Sequence, residues 1–92
     1  MNEELNSIEI LLNEGLPEEA IEALNKILEN RPADMEGLMV RAKVYYRLQR
    51  WGEALNDLIF ILDKEPGNQM ATNYKTMVLD IISFWNKDNF NP

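Results

Sequence analysis

The chain contains no cysteine and no histidine. The first absence excludes disulfide frameworks and thiolate chemistry, and the second removes the commonest general base; together they take away the usual zinc ligands. Glycine is scarce and scattered, so no glycine-rich loop is present to cradle a phosphate. Long apolar runs are missing as well. The longest, such as Leu58-Ile59-Phe60-Ile61-Leu62, span a few residues where a membrane helix needs about 20. Positive charge is outnumbered, with 9 Lys and Arg against 16 Asp and Glu and a net charge of −7. Phosphate binding draws on clustered Lys and Arg, so a nucleic-acid partner is not expected. The start, Met1-Asn2-Glu3-Glu4, lacks the basic and then apolar pattern of a secretory signal, and a cytoplasmic location is expected.

Catalysis finds little support in the residues that remain. Glu3-Glu4 and Glu18-Glu19 are neighbours in sequence, so each pair points to different parts of a helix surface rather than to one reacting atom. They suit the first turns of helices, where carboxylates complement the dipole. Glu65-Pro66-Gly67-Asn68 is a turn signal and lacks the alternating oxygen ligands of a calcium loop. No enzyme activity, cofactor or metal is expected.

With 92 residues, 46% of them hydrophobic and 27% charged, the chain has the length and composition of one folded domain spanning 1–92. Its charge is uneven. From Asn2 to Glu36 acids far outnumber the bases Lys26 and Arg31. From Gly37 to Arg50 there are four bases, Arg41, Lys43, Arg47 and Arg50, and no acid.

An internal repeat organises the chain. Laying residues 1–34 over 35–68 pairs Glu19 with Glu53, Ala20 with Ala54, Leu24 with Leu58, Ile27 with Ile61, Leu28 with Leu62 and Pro32 with Pro66. The Ala, Leu, Ile, Leu set is spaced by four, three and one, the apolar stripe of an amphipathic helix. Pro32 and Pro66 end helices, and Asp34 and Asn68 come next as N-caps for the helices after them. Gly15 breaks unit one, Pro17 suits a first helical turn, and Gln49-Arg50-Trp51-Gly52 forms the matching break in unit two. These signals predict five helices, about 2–14, 17–30, 35–48, 52–64 and 69–86.

A 34-residue helix–turn–helix unit with Ala on its second helix and Pro at its end resembles the tetratricopeptide repeat. Unit two carries the resemblance best through Leu38, Ala42, Tyr45, Trp51, Ala54, Leu58, Ile61 and Pro66. Unit one matches from Gly15 to Pro32, while its first helix has Glu4, Ser7 and Ile8 in the pattern positions. After Pro66, Thr76 and Leu79 take the small and aromatic slots of one more first helix. The resemblance implies an all-α, right-handed α-α superhelix of helical hairpins: repeat one 1–34, repeat two 35–68, then a capping helix and tail 69–92.

It also implies that the first helices line a concave groove for a segment of a partner protein. By that geometry the groove takes Leu5, Glu9, Leu12 and Asn13, then Met39, Lys43, Tyr46 and Arg47, then Met70, Asn73, Met77 and Asp80. Met39, Lys43, Tyr46, Arg47, Asn73 and Met77 form the candidate binding set. Lys43, Arg47 and Arg50, spaced by four and three, are expected on one helical face beside Tyr46, favouring an acidic peptide. The blander alternative is that these are solvated Lys and Arg side chains pairing with the acidic first unit, since surface charges usually serve solubility. A co-chaperone carboxylate clamp is not expected, because its Lys, Asn, Asn, Lys and Arg correspond to Leu5, Glu9, Val40, Met70 and Tyr74. Met35, Met39, Met70 and Met77 read first as core filling and second as adaptable contacts.

The last helix adds an apolar stripe of Ala71, Tyr74, Met77, Val78, Ile81, Ile82 and Trp85, extended by Phe84 and Phe90. Either it caps the array, with Trp85 and Phe90 folding back onto the end, or Ile81, Phe84 and Trp85 form an assembly surface for a partner or a homodimer. A scaffold that binds protein and an oligomerisation module are therefore the two functional expectations.

Overall fold

The computed structural model describes the backbone of residues 2–89 and the side-chain surroundings of residues 3–85. The described residues form five helices and no strand: α1 Asn2–Asn13, α2 Pro17–Asn30, α3 Met35–Arg47, α4 Trp51–Lys64 and α5 Gln69–Asn89. The all-α expectation holds. Helix ends agree with the sequence reading to within one residue, except that α5 runs three residues further.

Local chemistry accounts for the boundaries. Asp34 accepts a hydrogen bond from the Gly37 amide at 3.0 Å, and Asn68 accepts one from the Ala71 amide at 3.0 Å. Both satisfy an amide that the first helical turn leaves orphaned. The α1–α2 turn places Gly15 at φ 76°. There the amide of Gly15 donates to Leu12 and that of Leu16 to Leu11, the paired bonds of a Schellman closure. Thirty-four residues later Gln49 adopts φ 60°, with Gln49 donating to Tyr46 and Arg50 to Tyr45. The turns after α2 and α4 also correspond, through Asp34 to Arg31 and Asn68 to Glu65. The 34-residue period is thus a period of backbone hydrogen bonds as well as of side chains.

Connections of three or four residues make consecutive helices antiparallel neighbours. The contacts follow the chain from α1 to α5, and α5 also reaches α3. The result is an elongated body of 50 × 30 × 20 Å. Its core is one continuous cluster from Ile8 to Val78. Ala20, Ala42 and Ala54 are fully buried between helices, where the lack of bulk allows close approach, while Leu24, Leu58 and Ile61 fill the space around them. Burying each of those larger side chains contributes about 1.5–3 kcal/mol.

Equivalent positions reveal where the packing ends. Ile8 and Ala42 are both buried, yet Thr76 is exposed; Tyr45 is 7% exposed, yet Leu79 is 44% exposed. The first two units each supply a second helix to cover those positions, and no such helix follows α5 among the described residues.

Candidate functional site

The two faces of α3 diverge in their use of charge. On one face Arg41 donates to both oxygens of Asp57, Nε to Oδ2 at 2.9 Å and Nη2 to Oδ1 at 2.7 Å, and Nη1 donates to Asn25 at 2.9 Å. Asp57 is buried, so this fork supplies the partners that its oxygens lose on leaving water. Hydrogen bonding of the guanidinium to the Asp57 carboxylate is the main reason the Arg41 pKa is raised. Burial comes first among the causes that raise the Tyr45 pKa beside it. Arg31 pairs with Glu4 and Asp34, and Arg50 with Glu53. The Glu53 bond is what raises the Arg50 pKa.

On the other face Val40, Lys43, Tyr46 and Arg47 recur at three- and four-residue spacing, the first three half-buried and Arg47 exposed. They join Glu9 and Leu12 of α1 and Tyr74 of α5 around a recess of about 400 Å3. One flanking recess, of about 500 Å3, adds Met35, Glu36, Met39, Glu65, Asn68 and Met70; another, of about 360 Å3, adds Leu5, Asn6 and Glu36. Shared walls at Glu9, Glu36, Val40 and Lys43 make the three one furrow along α1, α3 and α5. Tyr46 stands edge-on to both Trp51 and Tyr74, with ring centroids 5.3 Å apart in each case. Such pairs prefer this edge-to-face geometry and so fix the orientation of the wall. Among the described residues neither Lys43 nor Arg47 has an ion-pair or hydrogen-bond partner.

The structure therefore brings Lys43, Tyr46 and Arg47 together as expected. Met39 is buried and contributes to the floor of a flanking recess. Asn73 and Met77 are exposed on α5 and line none of these three recesses; Asn73 accepts a hydrogen bond from Gln69 instead. Ile81 is half-buried, whereas Phe84 and Trp85 are exposed; Phe90 lies outside the described residues. Tyr74, absent from the candidate binding set, is a principal wall. Its correspondence to the last position of the carboxylate clamp was the available signal.

Two expectations are corrected. Arg50 does not share the face of Lys43 and Arg47. The helix ends at Arg47, Gln49 reverses the chain, and Arg50 lies over the Tyr45 ring at 5.0 Å while bonding Glu53. Nor do Lys43, Arg47 and Arg50 form ion pairs with the acidic first unit among the described residues, although Arg47 and Arg50 are solvent-exposed as that alternative has them. Arg41 and Arg50 find carboxylates within unit two, and Lys43 and Arg47 find none among the described residues.

No family model, curated protein or solved structure matches the chain significantly. No helix among the described residues is long and apolar enough to cross a membrane.

Proposed function

We infer that this protein is an interaction scaffold that takes a segment of a partner protein into the furrow along α1, α3 and α5, where Lys43 and Arg47 receive a carboxylate. One observation carries the reading: two cations without partners among the described residues sit on the walls of an aromatic-lined recess, while Arg31, Arg41 and Arg50 are all paired. Four residues apart on α3, the two cations present adjacent donors to an acidic side chain or a terminal carboxylate. Val40, Tyr46 and Tyr74 supply apolar surface beside them, so the segment is one that combines an acid with an aliphatic or aromatic neighbour. Glu9 shares the recess with both cations, Glu36 and Glu65 share the next one with Lys43, and these carboxylates favour basic residues further along the segment.

The resemblance to tetratricopeptide repeats supports the same surface, because first helices of successive units line the groove in that family. On this reading the five helices form a short right-handed superhelix, and the protein acts in the cytoplasm without catalysis of its own.

The test is fluorescence anisotropy with labelled peptides that place Asp or Glu beside Leu or Phe. Lys43→Glu with Arg47→Glu should weaken binding at least about tenfold, and binding should fall as salt rises. Undiminished binding by the double variant would place the contact elsewhere.

A further inference from the structure

The helix α5 outruns its support. With 21 residues against 14 in α4, it extends about 31 Å beside a neighbour of about 21 Å. Ala71, Val78 and Trp85 are spaced by seven and occupy nearly one line along the helix. Ala71 and Val78 are fully buried, yet Trp85 is 58% exposed. The last of these sits where the core stripe continues and the neighbouring helix has ended. Phe84, at 64% exposed, lies one position away, with Ile81 half-buried and Met77 exposed on the same side.

This open end differs from the side of α5 that a further repeat helix would cover. There Thr72, Thr76 and Ser83 present hydroxyls suited to water, with Leu79 among them. At the overhang the run Ile81-Ile82-Ser83-Phe84-Trp85 has no charge, and Asp80, four residues before Phe84 and about 40° round the helix from it, stands at the edge of the patch. A chain of net charge −7 can meet another copy of itself through this uncharged run, with the exposed carboxylate of Asp80 kept to the rim, where salt screens it.

We propose that the overhanging end of α5 is a self-association site that pairs with the same segment of a second copy. The surface suits a two-fold contact, in which the same patch serves both chains. Phe84 and Trp85 alone offer about 250 Å2 per copy, taking roughly 200 Å2 for a whole aromatic side chain. Adding Met77, Ile81 and an ordinary polar rim brings two copies to about 1,000 Å2 of buried surface, the threshold of a specific interface. An interface of this size is weak, with dissociation expected on the order of 0.1 mM. It does not depend on what the furrow binds.

Sedimentation velocity over a concentration series tests it on the full chain. The mass should rise toward twice that of one chain, and the association should strengthen with added salt as like charges are screened. Phe84→Ser with Trp85→Ser should weaken association about tenfold or more while leaving the far-ultraviolet circular dichroism and melting temperature unchanged. Lys43→Glu with Arg47→Glu should leave the association in place. A second readout leaves the surface intact: in Trp51→Phe protein, Trp85 is the remaining tryptophan, and its emission should shift to the blue as concentration rises. A single-chain mass up to about 1 mM, well above the dissociation range expected of so small an interface, overturns the proposal. So does association untouched by the double variant, or Trp85 emission that stays water-like while the mass doubles.

Discussion

The two 34-residue units close their hairpins with the same backbone hydrogen bonds but fill equivalent positions differently. At the left-handed turn position, unit one has Gly15 and unit two has Gln49. Between the helices, unit two has the Arg41–Asp57 fork, where unit one has Ser7 and Ala23. In its first helix unit two buries six residues, from Gly37 to Tyr45, whereas α1 buries Ile8. Unit two is packed from both sides, by α2 and by α5, while among the described residues α1 has no helix beyond it. Hydrogen-bond geometry is therefore what the units share, and the depth of burial is set by position in the array.

That contrast breaks most readily in the core. Leu24 and Leu58 are equivalent and both fully buried. Leu58→Ala should cost about 4 kcal/mol and Leu24→Ala about 3 kcal/mol, because α4 packs more extensively against α3 and α5 than α2 does against α1 and α3. Urea unfolding measures both, and a larger loss at Leu24 would reverse the ranking. Asp57→Ala should cost about 3 kcal/mol, since it leaves the Arg41 guanidinium partly buried without its carboxylate. Replacing Ala23 of unit one by Ser should change stability by under about 0.5 kcal/mol. Ala54→Leu should overpack the hairpin by about 2 kcal/mol, and Ala20→Leu by a similar amount. If thermal unfolding shows no loss for either, the close approach of the helices is not what these alanines provide. The turns give the smallest effects and opposite signs: Gln49→Gly should stabilise by about 0.5–1 kcal/mol, and Gly15→Ala should destabilise by about 1 kcal/mol.

Much of this fold was legible because its punctuation is chemical. Pro32 and Pro66 cannot continue helices, and Asp34 and Asn68 cap α3 and α5, so helix spans could be read almost to the residue. Gln49 was less legible as a left-handed residue, because its side chain carries no preference for that conformation and only its alignment with Gly15 marks the turn. Arg50 was misplaced because a three-and-four spacing was extended across that turn. At the furrow, spacing along α3 identified Lys43, Tyr46 and Arg47, since residues on one helix share a face regardless of tertiary structure. Tyr74 belongs to another helix, and its part in the recess depends on the contact between α3 and α5. The exposure of Trp85 was equally hidden, because a helical register does not say where the neighbouring helix stops.

The recurrence of whole turns, hydrogen bond for hydrogen bond, also makes the chain editable in fixed lengths. Excising Met35 through Asn68 would join Asp34 to Gln69, giving the final helix a carboxylate cap in place of an amide at the same position. A second copy of those residues inserted after Asn68 would likewise meet a matching junction at each end. Losing a single residue inside a helix instead rotates everything beyond it by about 100° and turns its buried stripe toward water. Length variation in multiples of 34 residues is thus the kind this architecture absorbs, and each added multiple would lengthen the furrow by one more first helix.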